Sequence, residues 1–186
     1  MRTRSLRTLA ALLALITALL TTRISANPGG VGSARFELVE ASITDMLKAI
    51  QTGLVTSEDL VRMYLARITA YDFDGPALNA YLTMSDHSVA DARKLDAARP
   101  KGIERQPLYG IPIALKDNVD TFDMPTTAGS VALAGSVPYD DAFIAKRLRA
   151  AGAVVLGKLT LTEFANFLTN GMPGGYSSLG GYGFNP

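Results

Sequence analysis

Two apolar runs with a helix between them set the architecture of this chain. Residues 107–115 (PLYGIPIAL) read as a buried strand broken by Gly110 and Pro112. Tyr139, Asp140 and Asp141 read as the cap of a helix running to Ala151, and Gly152 sits at the position that ends a helix in left-handed backbone. Residues 153–156 (AVVL) form a short, fully apolar strand. Strand, helix and strand in that order predict parallel pairing, with helices covering the sheet: an α/β class. At 186 residues the length fits one domain of ordinary size.

Upstream, two amphipathic helices are expected. Ser42 to Asp45 has capping-box character. Ile43, Met46, Leu47 and Ile50 follow at helical spacing, and Gly53 stops the run. Residues 56–59 (TSED) start a second helix with an apolar face of Leu60, Val61, Tyr64, Leu65 and Ile68, ending near Tyr71. Each stripe must be buried against something. Residues 78–83 (LNAYLT) read as a strand, 86–98 as a helix closed by Pro100, and 101–106 as a polar loop.

The N-terminus reads as an address. Arg2, Arg4 and Arg7 precede the twelve-residue apolar run LAALLALITALL at 9–20, and Ile24-Ser25-Ala26 ends in a small residue. This is the order of a secretory signal peptide, and the run is short for a bilayer span of about 20 residues; the alternative reading is an uncleaved membrane anchor. Cleavage is expected after Ala26, with 27–40 as a lead segment, a secreted product and no membrane association afterwards. Removing 1–26 takes away four arginines and no acids, which leaves 14 bases against 17 acids, net −3. That balance gives no electrostatic case for a nucleic-acid partner.

Composition narrows the chemistry. There is no cysteine, which excludes a disulfide scaffold, a thiolate metal site and a thiol nucleophile. His87 is the single histidine, and with no partner imidazole it makes a poor metal ligand. A nucleophile and base must come from Ser, Thr, Tyr, Lys, Asp or Glu. Residues 152–158 (GAVVLGK) fit a phosphate-loop spacing, but Leu159 stands where the magnesium-binding hydroxyl belongs and the central residues read as strand. Lys158 is therefore a structural strand-end residue.

Lys116 is the candidate that remains, because the apolar strand delivers it straight into the polar turn Asp117-Asn118. At the end of a buried strand, lost solvation is expected to lower its pKa, and a neutral lysine can take a proton from a hydroxyl nucleophile. The ordinary alternative, favoured by pattern alone, is an ion pair with Asp117 or Asp120.

Four segments shift that weighting. GIPIALKDNVDT at 110–121, TTAGS at 126–130, AGAVVLGKLTLTEFAN at 151–166 and GYSSLGGYGFNP at 175–186 resemble, in order and spacing, the N-terminal part of an amidase signature family enzyme, over residues 41–186. The forms GKLTLTEFAN and GYSSLGG are most similar to the extracellular, peptide-amidase-like branch. The resemblance implies an α/β/α fold with a mixed sheet covered by helices, no metal or organic cofactor, and a peptide or small-molecule amide as substrate. It implies a Ser-cisSer-Lys mechanism in which Lys116 is the base. The bridging serine and the nucleophile belong to Gly/Ser segments that the family places after the Asn-Pro pair, here Asn185-Pro186. On this reading both serines are missing, the domain is truncated, and the chain alone is inactive. Ser177 and Ser178 precede that pair and are expected to line or brace the site, as are Asp117 and Asn118. The reading from a different class is a non-catalytic secreted module that needs a partner to complete its sheet.

Overall fold

The computed structural model describes residues 35–98, 106–168 and 170–185. The expected signal peptide, the lead up to residue 34 and the polar loop at 101–105 lie outside the described residues.

Helix α1 spans Ile43–Thr52, and Gly53 ends it. Its N-terminus is a complete capping box: Asp45 N–H donates to Ser42 Oγ at 3.2 Å, and Ser42 N–H donates to Asp45 Oδ2 at 3.1 Å. Helix α2, Ser57–Ile68, repeats the device with Thr56 and Asp59. A carboxylate from another helix reinforces it: Asp96 Oδ1 and Oδ2 accept the Ser57 and Glu58 N–H groups at 2.8 and 2.9 Å. One turn of π-helix, Thr69–Phe73, extends α2. Strand β1 is Tyr81–Met84, helix α3 Ser88–Ala98, strand β2 Pro112–Lys116, helix α4 Phe143–Ala150 and strand β3 Val154–Leu159.

The sheet has the order β1-β3-β2. β2 and β3 run parallel, as the strand–helix–strand pattern predicts, with Lys116 opposite Leu159. β1 joins the other edge of β3 antiparallel, so the sheet is mixed. Val154, Val155 and Leu156 make β3 apolar on both faces at its start because both are covered. Val154 and Leu156 pack with Val61, Ile68 and Ala92 of α2 and α3. Val155 packs with Leu115, Met124 and Ala145 of α4 on the other side. A third cluster joins α1 to Tyr109 and Ile111 through Met46, Ile50 and Leu60, with Phe36 and Leu38 packed against it. Helices therefore flank the sheet on both sides.

Three expectations need correction. β2 begins at Pro112 rather than Pro107, because residues 107–110 form a turn in which Gly110 takes φ +71°. A Cβ on Gly110 would fall 2.1 Å from Ser57 Oγ. Asp140 and Asp141 do not cap α4: its N-cap is Ala142, with no side-chain cap bond. Asp141 instead accepts Phe122 N–H at 3.1 Å and pairs with Arg149 at 3.0 Å. Ile43, counted in the α1 stripe, is 47% exposed.

Candidate active site

β2 carries Lys116 to the edge of the sheet, and the turn that follows is tied to β3. Asp117 N–H donates to the Leu159 carbonyl at 3.0 Å, and Val119 N–H closes the turn on the Lys116 carbonyl at 3.0 Å. The Lys116 ammonium donates to the Thr160 carbonyl. Lys116 itself is exposed, which corrects the expectation of a dry strand tip. It pairs with neither Asp117 nor Asp120; a backbone carbonyl is its partner.

The dry lysine is Lys158, 0% exposed. Its ammonium donates to Thr126 Oγ1 at 2.7 Å and to the Pro125 carbonyl at 3.1 Å, and stands 3.6 Å from Asp117 Oδ1. Burial pushes its pKa below the ordinary lysine value, with the Asp117 carboxylate pulling the other way.

Asp117 is equally buried and organises the loop at 126–130. Its Oδ2 accepts Thr127 N–H at 3.0 Å, Gly129 N–H at 3.3 Å and the Thr127 hydroxyl. Its carbonyl accepts Ala128 N–H at 2.9 Å. Asn118 is exposed on the same turn.

The Gly-rich tail folds back onto this loop. Short strands β4, Tyr176–Ser177, and β5, Gly181–Tyr182, form a hairpin. Leu179 N–H donates to the Gly129 carbonyl at 3.0 Å. Asn79 Nδ2 donates to the Gly180 and Tyr182 carbonyls at 2.6 and 2.8 Å. A Cβ on Gly183 would lie 2.9 Å from Thr160 Oγ1. The tail thus packs on the residue whose carbonyl holds the Lys116 amine. Ser177 is 1% exposed, its Oγ accepting Gly180 N–H at 3.0 Å. Ser178 Oγ accepts Val131 N–H at 3.1 Å, and its own N–H donates to Glu163 Oε2 at 2.8 Å. Both serines brace backbone here.

Glu163, unforeseen from the sequence, also lies in this site. Hydrogen bonds from the Ser178 and Ser130 hydroxyls and the Ser178 N–H hold its carboxyl below the usual range. The three residues after it, Phe164, Ala165 and Asn166, all take left-handed backbone at φ +47°, +53° and +70°. Such runs of non-glycine residues are costly and persist only when the surroundings fix them. Phe164 N–H is fixed by the Ala128 carbonyl at 2.9 Å. The TTAGS segment was the available signal, since Thr127 and Ser130 are the partners of Asp117 and Glu163. His87 is exposed at the start of α3, away from this site. Among the described residues no three His, Asp or Glu side chains cluster as metal ligands.

A family model described as Amidase matches residues 59–176. The chain belongs to the amidase signature family. Its parallel β2–β3 pair, antiparallel β1 and flanking helices form part of that family's α/β/α fold. Native peptide amidase from Stenotrophomonas maltophilia is 43% identical with a TM-score of 0.74, over 77% of this chain and 29% of that one. An amidase family protein from Bacillus anthracis is 40% identical with a TM-score of 0.76, over 80% and 30%. A glutamyl-tRNA(Gln) amidotransferase polypeptide from Chloroflexus aurantiacus is 43% identical over 69% of this chain and 26% of its own length. The chain thus spans between a quarter and a third of these relatives.

Proposed function

We propose that this chain is the base-bearing part of a secreted amidase that hydrolyses carboxamide bonds by a Ser-cisSer-Lys mechanism. Lys116 is the base. The bridging serine and the nucleophile come from Gly/Ser segments that lie after the Asn-Pro pair, here Asn185-Pro186, in a complete enzyme. The nucleophilic hydroxyl loses its proton through the bridging serine to the neutral Lys116 amine as its oxygen bonds to the carboxamide carbon. The proton then goes to the leaving nitrogen as the C–N bond breaks, and water hydrolyses the acyl-enzyme. A neutral amine requires a drier setting than the exposed strand tip described above. On this reading the serine-bearing sequence covers the tip and supplies it. The substrate is a peptide or small-molecule amide, the protein takes no metal or organic cofactor, and residues 1–26 direct export.

The observation that supports the reading is the placement of Lys116. It leaves β2 at the sheet edge within the LKDN turn, and its amine is held against Thr160 where the Gly-rich tail packs. The test is ammonia or amine release by the complete enzyme carrying Lys116→Ala. Activity should vanish while the fold persists; near-normal kcat would overturn the base assignment. N-terminal sequencing of exported protein should start close to residue 27, and a start at Met1 would count against the signal peptide.

One observation favours a non-catalytic assembly module. Among the described residues β1 and β2 are both open edges, and Phe143 and Ile144 on α4 are 77% and 55% exposed. A monodisperse, cooperatively melting mature chain would support the module; aggregation or molten behaviour would support the amidase portion.

A further inference from the structure

The mechanism above leaves one buried titratable pair unused. Lys158 lies in a strand whose neighbours Val154, Val155 and Leu156 are apolar, and it is 0% exposed, as is Asp117. A buried ion pair contributes little net stability beside apolar residues of similar volume, so the fold alone does not require charge at these positions. The contacts of the pair show what it fixes. Asp117 directly follows Lys116, and its backbone and carboxylate are bound by Leu159, Thr127, Ala128 and Gly129. Its remaining oxygen, Oδ1, has no hydrogen-bond partner and faces the Lys158 ammonium at 3.6 Å. Two residues beyond Lys158, the Thr160 carbonyl receives the Lys116 amine. Both ends of Lys116, its backbone through Asp117 and its nitrogen through Thr160, are therefore referenced to one short stretch at the end of β3.

We propose that Lys158 and Asp117 are positioning residues: the buried pair locks the turn after β2 to the end of β3 and so fixes where the Lys116 amine points. Thr126 completes the device by accepting from Lys158. The inference rests on the reading of Lys116 as base, because only a base needs its nitrogen held to within a fraction of an ångström. Misplacing a catalytic group by about 1 Å costs on the order of 100-fold in rate.

The test has two arms. In the first, the side-chain ammonium resonance of Lys116 is followed by 1H–15N NMR in the full chain, assigned by its loss in Lys116→Ala. Lys158→Met and the near-isosteric Thr126→Val should both shift this signal toward that of a free lysine and speed its exchange with water about tenfold or more. Leu60→Ala, which weakens the core far from the turn, should leave it in place; that control separates positioning from general loss of stability. Should Lys158→Met fail to fold, Thr126→Val decides. An unchanged Lys116 signal in the folded variants overturns the proposal. In the second arm, the complete enzyme carrying Thr126→Val should lose kcat with KM held within about twofold. Unchanged kcat per folded site overturns the positioning role. Activity surviving in Lys116→Ala while the NMR response persists would instead sink the base assignment, so the two failures are distinguishable.

Discussion

Replacing Gly129 with alanine should detach the Gly-rich tail from the loop at 126–130. Gly129 takes φ +77°, and an alanine in that left-handed region costs about 1 kcal/mol. The added Cβ would fall 2.8 Å from Ser177 Cβ and 3.3 Å from both Ser177 Oγ and the Leu161 carbonyl. Ser177 is 1% exposed and its hydroxyl accepts Gly180 N–H, so it cannot simply swing away. Overpacking of this kind costs about 1–3 kcal/mol. The sum is about 2–4 kcal/mol, and the cheapest relief is local: the hairpin lifts and the Leu179 N–H to Gly129 bond opens. Amide exchange at Leu179 should accelerate by about 30- to 900-fold, the same free energy at 1.36 kcal/mol per factor of ten. Gly171→Ala is the control. That glycine has φ +80° but nothing within 4 Å of its Cβ position, so it carries the conformational cost without the collision. If Leu179 exchanges within about threefold of wild type in Gly129→Ala, or if Gly171→Ala matches it there, the packing argument is wrong.

Other variants probe the scaffold. Leu60→Ala removes a side chain that is 0% exposed in the cluster joining α1 and α2, and should cost about 2–5 kcal/mol by urea denaturation. Asp96→Ala removes the carboxylate that caps α2 from α3 and should cost about 1–2 kcal/mol, read as a lower melting midpoint. Glu58 accepts from Arg93 and Arg62, which draw its carboxyl down from 4.5 to about 2. Its contribution is complete above the unfolded value and is lost as pH falls from 4.5 toward 2. Glu58→Gln should flatten the acid limb of the stability profile in that window; an unchanged limb would show that the pair does not matter to folding.

What was legible in the sequence was what neighbours in the chain decide. Ser42 with Asp45 and Thr56 with Asp59 make capping boxes three residues apart, so both helix starts were readable. The run ending at Lys116 placed that residue at a strand tip, and the strand–helix–strand order implied the parallel pairing of β2 with β3. Tertiary packing decided the rest. Asp141 looks like a cap, but Arg149 lies within reach and takes it. The left-handed turn after Glu163 has no glycine to announce it, because distant partners impose its backbone. Above all, the sequence shows two lysines near strand ends and does not say which is dry. Desolvation is set by everything that closes around a charge. Thr126, Pro125 and Asp117 enclose Lys158, while Lys116 stays open to water, and the enclosing residues, all more than thirty positions before Lys158 in the chain, meet it only in the fold.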